Sequence, residues 1–255
     1  MPTRHHLTIE PSPKRVRVMI GDETIADSLA ARLLLESGHA PVYYFPLDDV
    51  RTARLRATSH HTHCPLKGDA SYWSIEAGGR EIENAVWSYP APLPAAAAID
   101  NHLAFYWNKV DHWFEEDEEV FGHPRDPHHR IDVRPSSREV TVRFGDETIA
   151  RTRRGLFLFE TDLPPRYYIP PQDVRTDLLA PSPATSICPY KGMAAYWSIE
   201  AGGRTAGDAV WAYADPLPDA PPIRGYYCFY PEKVDRLDVQ RPDTVIDALP
   251  GRIDA

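Results

Sequence analysis

The chain has 255 residues, 42% of them hydrophobic, so it is long enough for two domains and apolar enough to bury a core. Its formal net charge of -9 disfavours nucleic acids and anionic membrane surfaces as partners, because both carry negative charge themselves. No apolar run reaches the roughly 20 residues of a membrane span, and the N-terminus lacks the apolar stretch of a signal peptide, so we expect a soluble, cytoplasmic protein.

Cysteine and proline set further limits on the fold. The three cysteines, Cys64, Cys188 and Cys228, form no C-x-x-C pair, which argues against a disulfide framework and against a structural zinc site. The 26 prolines, against 14 glycines, limit long helices and favour short strands that are joined by rigid turns.

The chain contains an internal duplication. The segment VRVMIGDETIA from Val16 recurs as VTVRFGDETIA from Val140, and the motifs C-P-x-K-G, Y-W-S-I-E-A-G-G-R and A-V-W-x-Y recur at the same offset of 124 residues. A repeat this long predicts two complete domains, because solenoid repeats run only about 20 to 50 residues. The predicted boundaries are an N-terminal extension (1–13), a first repeat domain (14–119), a linker (120–137), a second repeat domain (138–240) and a C-terminal tail (241–255).

Each copy is predicted to consist of short antiparallel strands. VRVMI and TIAD flank the turn at Gly21 as a hairpin, LLLE, VYYF and LAFYW are apolar strands, and YWSIEA pairs with REIENAVWSY around Gly78-Gly79. In the second copy, Pro170-Pro171 favours one helical turn over QDVRTDLL, and the alternation at Ile131 and Val133 favours an edge strand in the linker. About six to eight strands per copy predict a mainly β, antiparallel fold, either a small barrel or a sandwich.

A two-residue turn at Gly78-Gly79 sets the register of the second hairpin. It places Tyr72 opposite Ala85, and directly opposed residues point to the same side of a sheet. The predicted site face then carries Tyr72, Ser74, Glu76, Ala85, Trp87 and Tyr89, while Trp73 and Ile75 point to the core. A bulge near Asn84 that shifted the register by one residue would exchange the two faces.

The C-P-x-K-G motif is the main candidate for chemistry. Cys64 and Lys67 recur as Cys188 and Lys191, and a lysine three residues from a thiol can lower the thiol pKa and make it a nucleophile. The structural alternative is a small buried thiol at the start of a Pro-Gly turn, with a solvated lysine. These four residues are the candidate catalytic groups.

A histidine cluster precedes only the first of these cysteines. His60, His61 and His63 offer metal ligands or a catalytic base, but the second copy has Ala184, Thr185 and Ile187 at these positions. Because a mechanism common to both copies cannot use these histidines, we expect no metal site and no cofactor.

Aromatic and basic side chains that recur in both copies are the candidate ligand-binding residues. Tyrosine and tryptophan on a concave face can stack on a flat or cationic ligand, and arginine or lysine can hold a carboxylate or phosphate. The structural alternatives are a packed core for the aromatics and a local ion pair for the arginine of the D-V-R-T motif. With the two Cys-Lys pairs, the set comprises Tyr44, Arg51, Tyr72, Trp87, Tyr89, Tyr106 and Lys109 in the first copy, and Tyr168, Arg175, Tyr196, Trp211, Tyr213, Tyr230 and Lys233 in the second.

The ordered anchors G-D-E-T-I-A, Y-Y, D-V-R, C-P-x-K-G, Y-W-S, A-V-W-x-Y-x-x-P-x-P and F-Y-x-x-K-V-D resemble those of domain-of-unknown-function family 427, present here as two tandem copies. The resemblance implies compact β domains of the β-tent kind, as in the thalidomide-binding domain of cereblon and in methionine sulfoxide reductase B. Zinc in those relatives is commonly held by paired C-x-x-C motifs. Since this sequence has only one such cysteine per domain, the zinc is not carried over. The family has also been labelled nucleotidyltransferase, but no metal-binding carboxylate pair stands here at a typical spacing.

Three functions follow from these patterns. The first is a small-molecule-binding protein with an aromatic and basic groove in each domain. The second is an enzyme that uses the Cys-Lys site for thiol-dependent or transferase-type chemistry, and the third is a peptide-binding interaction module. The sequence specifies neither the ligand nor the oligomeric state.

Overall fold

The computed structural model describes residues 6–241, so residues 1–5 of the predicted extension and 242–255 of the predicted tail lie outside the described residues. The chain forms two compact units, Met1–Pro127 and His128–Ala255, called here the first and the second unit. Both units are mainly β with antiparallel sheets, which confirms the predicted fold class. No helix in the described part of the chain is long and apolar enough to cross a membrane.

The first unit is built from two antiparallel sheets. Its strands are β1 (Leu7–Pro11), β2 (Val16–Ile20), β3 (Glu23–Ser28), β4 (Arg32–Glu36), β5 (Val42–Pro46), β6 (Leu55–Cys64), β7 (Gly68–Ala77), β8 (Arg80–Ser88), β9 (His102–Phe105), β10 (His112–Glu115) and β11 (Glu118–Glu119). A seven-stranded sheet has the order β1-β4-β5-β9-β8-β7-β6, and a four-stranded sheet has the order β11-β10-β2-β3. Short 3-10 helices cover Leu47–Asp49, Thr52–Arg54, Pro94–Ile99 and Trp107–Lys109.

The second unit repeats this arrangement. Its strands are β12 (Ile131–Ser136), β13 (Val140–Phe144), β14 (Glu147–Thr152), β15 (Gly155–Glu160), β16 (Arg166–Ile169), β17 (Leu179–Cys188), β18 (Gly192–Ala201), β19 (Arg204–Tyr213), β20 (Tyr227–Phe229) and β21 (Arg236–Val239). The larger sheet has the order β12-β15-β16-β20-β19-β18-β17, and the smaller one, within residues 6–241, has the order β14-β13-β21. The 3-10 helices are Pro171–Asp173, Thr176–Leu178, Pro221–Ile223 and Pro231–Lys233, so the helical turn predicted after Pro170-Pro171 is present.

The seven-stranded sheet of the first unit buries apolar side chains on both of its faces. Successive residues of a strand point to opposite faces, and Tyr43 and Phe45 of β5 pack in one buried cluster with Val18 of the smaller sheet. Tyr44, between them, packs in a second cluster with Tyr72 of β7. The group that contains Tyr43 and Phe45 is the core between the two sheets, and the group that contains Tyr44 lies on the other face of the larger sheet. The second unit has the same two clusters.

The larger sheets extend beyond the predicted repeat boundaries. β1 lies in the segment predicted as an N-terminal extension, and β12 lies in the predicted linker, where the alternation at Ile131 and Val133 favoured an edge strand. The prediction of six to eight strands per copy is too low, because eleven and ten strands form within residues 6–241. The strands that the sequence pattern did not predict include β6, an edge strand whose mostly polar, exposed residues show no apolar alternation.

The second hairpin has the predicted turn but a different register above it. Ala77 pairs with Arg80, whereas Tyr72 pairs with Trp87 and not with Ala85. The cause is a bulge that inserts two extra residues in β8, with Asn84 at a φ of 48°. A shift of two residues keeps Tyr72 and Trp87 on one face, but it moves Ala85 into the core between the sheets.

Candidate functional site

The structure brings most of the predicted aromatic residues together on one face of each larger sheet. The aromatic cluster, as we call it, comprises Tyr44, Tyr72, Trp87, Tyr89 and Tyr106 in the first unit and Tyr168, Tyr196, Trp211, Tyr213 and Tyr230 in the second. In the first unit Tyr44, Tyr72 and Trp87 lie in β5, β7 and β8, and Tyr89 follows β8 directly. These side chains share a face because alternate residues of paired strands point to the same side of a sheet. Five polar-tipped rings therefore converge in each unit.

A tryptophan stands at the centre of each aromatic cluster. The Trp87 indole N–H donates a hydrogen bond to the Tyr44 hydroxyl at 3.1 Å, and the Trp87 and Tyr106 rings lie 4.5 Å apart between centroids. In the second unit the same bond joins Trp211 to Tyr168 at 3.3 Å. Both copies therefore keep one arrangement, since the Trp211 and Tyr230 rings also lie close, 4.3 Å apart between centroids.

The tyrosine hydroxyls of the first cluster are linked to each other and to strand β6. The Tyr72 hydroxyl lies 2.8 Å from the Thr62 hydroxyl, and the equivalent Tyr196 and Ser186 hydroxyls lie 2.7 Å apart. Burial, followed by a hydrogen bond with Tyr72, raises the pKa of Tyr106 to about 12. The Tyr106 phenol is therefore neutral at pH 7 and can both donate and accept hydrogen bonds.

A buried ion pair adjoins each cluster. Lys67 hydrogen-bonds to Glu36, with side chains only 10% and 12% exposed. Lys191 in the second unit lies 2.6 Å from both carboxylate oxygens of Glu160, with side chains 10% and 6% exposed. Glu160 also lies 3.0 Å from the Nε2 atom of His129. The pair ties the C-P-x-K-G turn to the end of β4 or β15.

Glu36 and Glu160 are site residues that the sequence reasoning missed. Glu36 ends the predicted strand LLLE, and Glu160 follows FLF at the offset of 124 residues that relates all the other anchors. A carboxylate that recurs at the end of an apolar strand is the signal that could have found them. Both carboxylates are buried beside a lysine, as expected for charged side chains, which are seldom buried without a partner.

Two of the three cysteines lie at the clusters with part of their surface exposed. Cys64 and Cys188 each pack against the aromatic cluster of their own unit, at the residue where β6 or β17 ends. Cys228 is fully buried, and this burial raises the pKa of its thiol to about 12. The lysine of each C-P-x-K-G turn is already paired with a glutamate, so its charge is largely balanced.

The structure separates the two arginines of the D-V-R-T motif from the aromatic clusters. The guanidinium of Arg51 is exposed and lies 3.7 Å from Glu23 of β3, in the smaller sheet. Arg175 forms an exposed ion pair with Asp177 at 2.7 Å. The local ion pair, the alternative interpretation of this motif, describes both arginines in this structure, and their part in ligand binding stays a prediction.

Lys109 and Lys233 lie beside the clusters and stabilise a nearby strand bulge. The Lys109 ammonium is 5.0 Å from the centroid of the Tyr106 ring, and it donates hydrogen bonds to the carbonyls of Glu83 and Asn84. Lys233 makes the equivalent contacts. Each lysine therefore binds the carbonyls of the β8 or β19 bulge and also contacts Tyr106 or Tyr230.

Several other shared residues are explained by the fold alone. Asp111 accepts a hydrogen bond from the Gly21 backbone N–H at 2.8 Å and pairs with Arg80, so it joins the two hairpin turns. The same two contacts recur at Asp235, with the Gly145 N–H and with Arg204. Gly68 has a φ of +100°, which explains the glycine of the C-P-x-K-G turn.

The histidines of the first unit do not converge. The His60 ring packs against Tyr72 with centroids 4.4 Å apart and a tilt of 59°, and His63 pairs with Asp69 at 2.6 Å. His61 approaches the Ala70 carbonyl at 3.3 Å. Among residues 6–241, no group of three or more His, Cys, Asp or Glu side chains is arranged to hold a metal ion.

The fold and the cluster geometry define a tandem protein of two homologous β domains, each with an aromatic cluster and a buried Lys–Glu pair on one face of its larger sheet. A family model described as Domain of unknown function (DUF427) matches residues 8–116 and 132–240. The chain belongs to this family and carries two copies of its domain. Both matches begin within or next to β1 and β12, in agreement with the observed extent of the larger sheets. No curated protein matches the chain.

Proposed function

We propose that each unit binds a small molecule at its aromatic cluster. The observation that carries this proposal is the buried Lys–Glu pair beside the clustered tyrosines, present in both copies with the same partners. A buried ion pair is often no more stabilising than apolar residues of the same volume, so folding alone gives a weak reason to keep two of them. A ligand-binding site does give a reason, because such sites are mostly apolar and contain a few polar or charged groups that orient the ligand.

The chemistry of the cluster favours a flat, partly polar ligand. The partly exposed rings of Trp87 and Tyr106 offer a stacking surface, and the tyrosine hydroxyls beside them offer hydrogen-bond donors and acceptors. The thiol of Cys64 lies on the same side.

A thermal-shift screen of the full chain against planar aromatic and heteroaromatic compounds, neutral and charged, tests the proposal. We expect compounds that raise the melting temperature, and we expect Tyr106→Leu combined with Tyr230→Leu to abolish the shift. These substitutions remove the outer rings and keep apolar bulk, so the variant remains folded.

The matched control is Arg51→Gln combined with Arg175→Gln. These arginines also recur in both copies but lie outside the clusters, so the control keeps the full ligand-induced shift. Loss of the shift in the control would show that binding occurs elsewhere. A screen without a single stabilising compound would contradict the proposal.

Thiol chemistry at the same place is a second candidate, favoured by the partial exposure of Cys64 and Cys188 within the clusters. It requires thiols that react faster with iodoacetamide than a free cysteine does below about pH 8. Rates that match those of a free thiol across the pH range would exclude an activated nucleophile.

A further inference from the structure

The two aromatic clusters differ at one position that carries a charge. Arg166 of β16 lies at the position of Val42 in β5, which packs against the first cluster as an apolar side chain. The Arg166 guanidinium lies 5.4 Å from the centroid of the Trp211 ring and 5.6 Å from that of Tyr230. The second cluster therefore contains a cation where the first contains a methyl surface.

Arg166 is half-buried and has no matching anion. Within residues 6–241 its side chain has ring contacts but no hydrogen-bond or ion-pair partner. Most other arginines of this unit pair with a carboxylate, as Arg154 does with Asp173 and Arg204 does with Asp235. A guanidinium has five N–H donors in a planar fork, and the half-buried Arg166 can present these donors to an anion beside the aromatic rings.

A second difference leaves one tyrosine of the second cluster more exposed, whereas its tryptophan, Trp211, is only 6% exposed. The His60 ring packs against Tyr72 at an angle of 59° in the first unit, where Tyr72 is 6% exposed. Ala184 stands in place of His60 in the second unit, and the equivalent Tyr196 is only half-buried. The cation and the more open ring therefore occur together in one copy.

We propose that the aromatic cluster of the second unit binds a planar aromatic carboxylate whose carboxylate group pairs with Arg166. This inference rests on the proposed function and adds a ligand class and a difference between the copies. The ring of the ligand would stack beside Trp211 and Tyr230, and the guanidinium fork matches a carboxylate with two parallel hydrogen bonds. The first cluster, with Val42 and His60, lacks this selectivity for an anion.

Calorimetric titration of the full chain with 2-naphthoate and with its neutral analogue 2-naphthamide tests the assignment. Arg166→Val places the residue of the first unit at this site, so the variant is expected to fold. Its affinity for naphthoate falls at least about tenfold, which corresponds to one charge-assisted contact, while its affinity for naphthamide is unchanged. The control Arg153→Leu removes an exposed arginine and introduces the residue type of Leu29, its counterpart, so it alters net charge equally and keeps naphthoate binding.

Naphthoate binding that is insensitive to Arg166→Val, or naphthamide binding as tight as naphthoate binding, overturns the inference. So does an absence of binding by wild-type protein. In each of these cases the proposed function still stands if other compounds of the thermal-shift screen bind at the clusters, and it fails only if the whole screen is silent.

Discussion

Replacing Glu160 with glutamine tests whether the ion pair of the second unit is truly buried. The change leaves the Lys191 ammonium, 10% exposed, without its carboxylate, and it removes the contact of that carboxylate with His129. Loss of one partner of a buried pair costs about 3 to 5 kcal/mol, and glutamine recovers part of the hydrogen bonding, so we expect a loss of about 3 kcal/mol. For a unit of this size the loss corresponds to a decrease in melting temperature of about 10 °C.

Urea unfolding followed by circular dichroism measures this loss, and a double variant provides the control. Glu160→Leu with Lys191→Met replaces the pair by apolar side chains of similar volume and should return to within about 1 kcal/mol of wild type. A loss below about 1 kcal/mol for Glu160→Gln would show that water screens the pair, as for a surface salt bridge. A double variant as unstable as the single one would show that the charges themselves hold the turn in place.

Three further predictions concern other parts of the fold. Iodoacetamide should label Cys64 and Cys188 in the folded protein but Cys228 only after unfolding, because burial raises the pKa of the Cys228 thiol to about 12. Peptide mass mapping measures the labelling, and equal rates at all three cysteines would refute this prediction. Gly145→Ala should destabilise the chain by at least about 1 kcal/mol more than Gly21→Ala, because both glycines have a positive φ but only the methyl at position 145 meets the Ala201 carbonyl oxygen. Equal urea midpoints for the two variants would contradict this clash. The Gly145 N–H, followed by Arg204, lowers the pKa of Asp235, so the stability it provides is present above the unfolded-state pKa and is lost as the pH falls through the lower folded-state pKa. Asp235→Asn should therefore weaken the decline in urea midpoint below about pH 4, and an unchanged decline would exclude this role.

The hairpins were predictable from the sequence because they depend on local turn chemistry. Glycine at the turns and alternating apolar residues beside them placed β2, β3, β7 and β8 correctly. Strands β1 and β6 were not predicted, because each lies at an edge of its sheet and one side of an edge strand can stay polar. The bulge at Asn84 depends on contacts with Ser74 and Lys109, which are distant in sequence.

The candidate site was predictable only in part, since recurrence in two copies does not separate binding residues from structural ones. Tyr44, Tyr72 and Trp87 recur and do converge, whereas Arg51 recurs because it pairs with Glu23 at the smaller sheet. Glu36 was missed because a carboxylate at the end of a strand usually points to solvent. Burial and the identity of the partner distinguish these cases, and both are properties of the fold.

The indole N–H resonances of the six tryptophans provide the most direct test of the central claim, that ligands bind at the aromatic clusters. In a titration with any compound that stabilises the protein, the Trp87 or Trp211 resonance should shift, because ligand stacking perturbs the indole and its bond to Tyr44 or Tyr168. The resonance of Trp113, buried in the core between the sheets, should remain in place. Shifts confined to Trp113 and Trp107, or stabilisation without a shift at Trp87 or Trp211, would contradict the account.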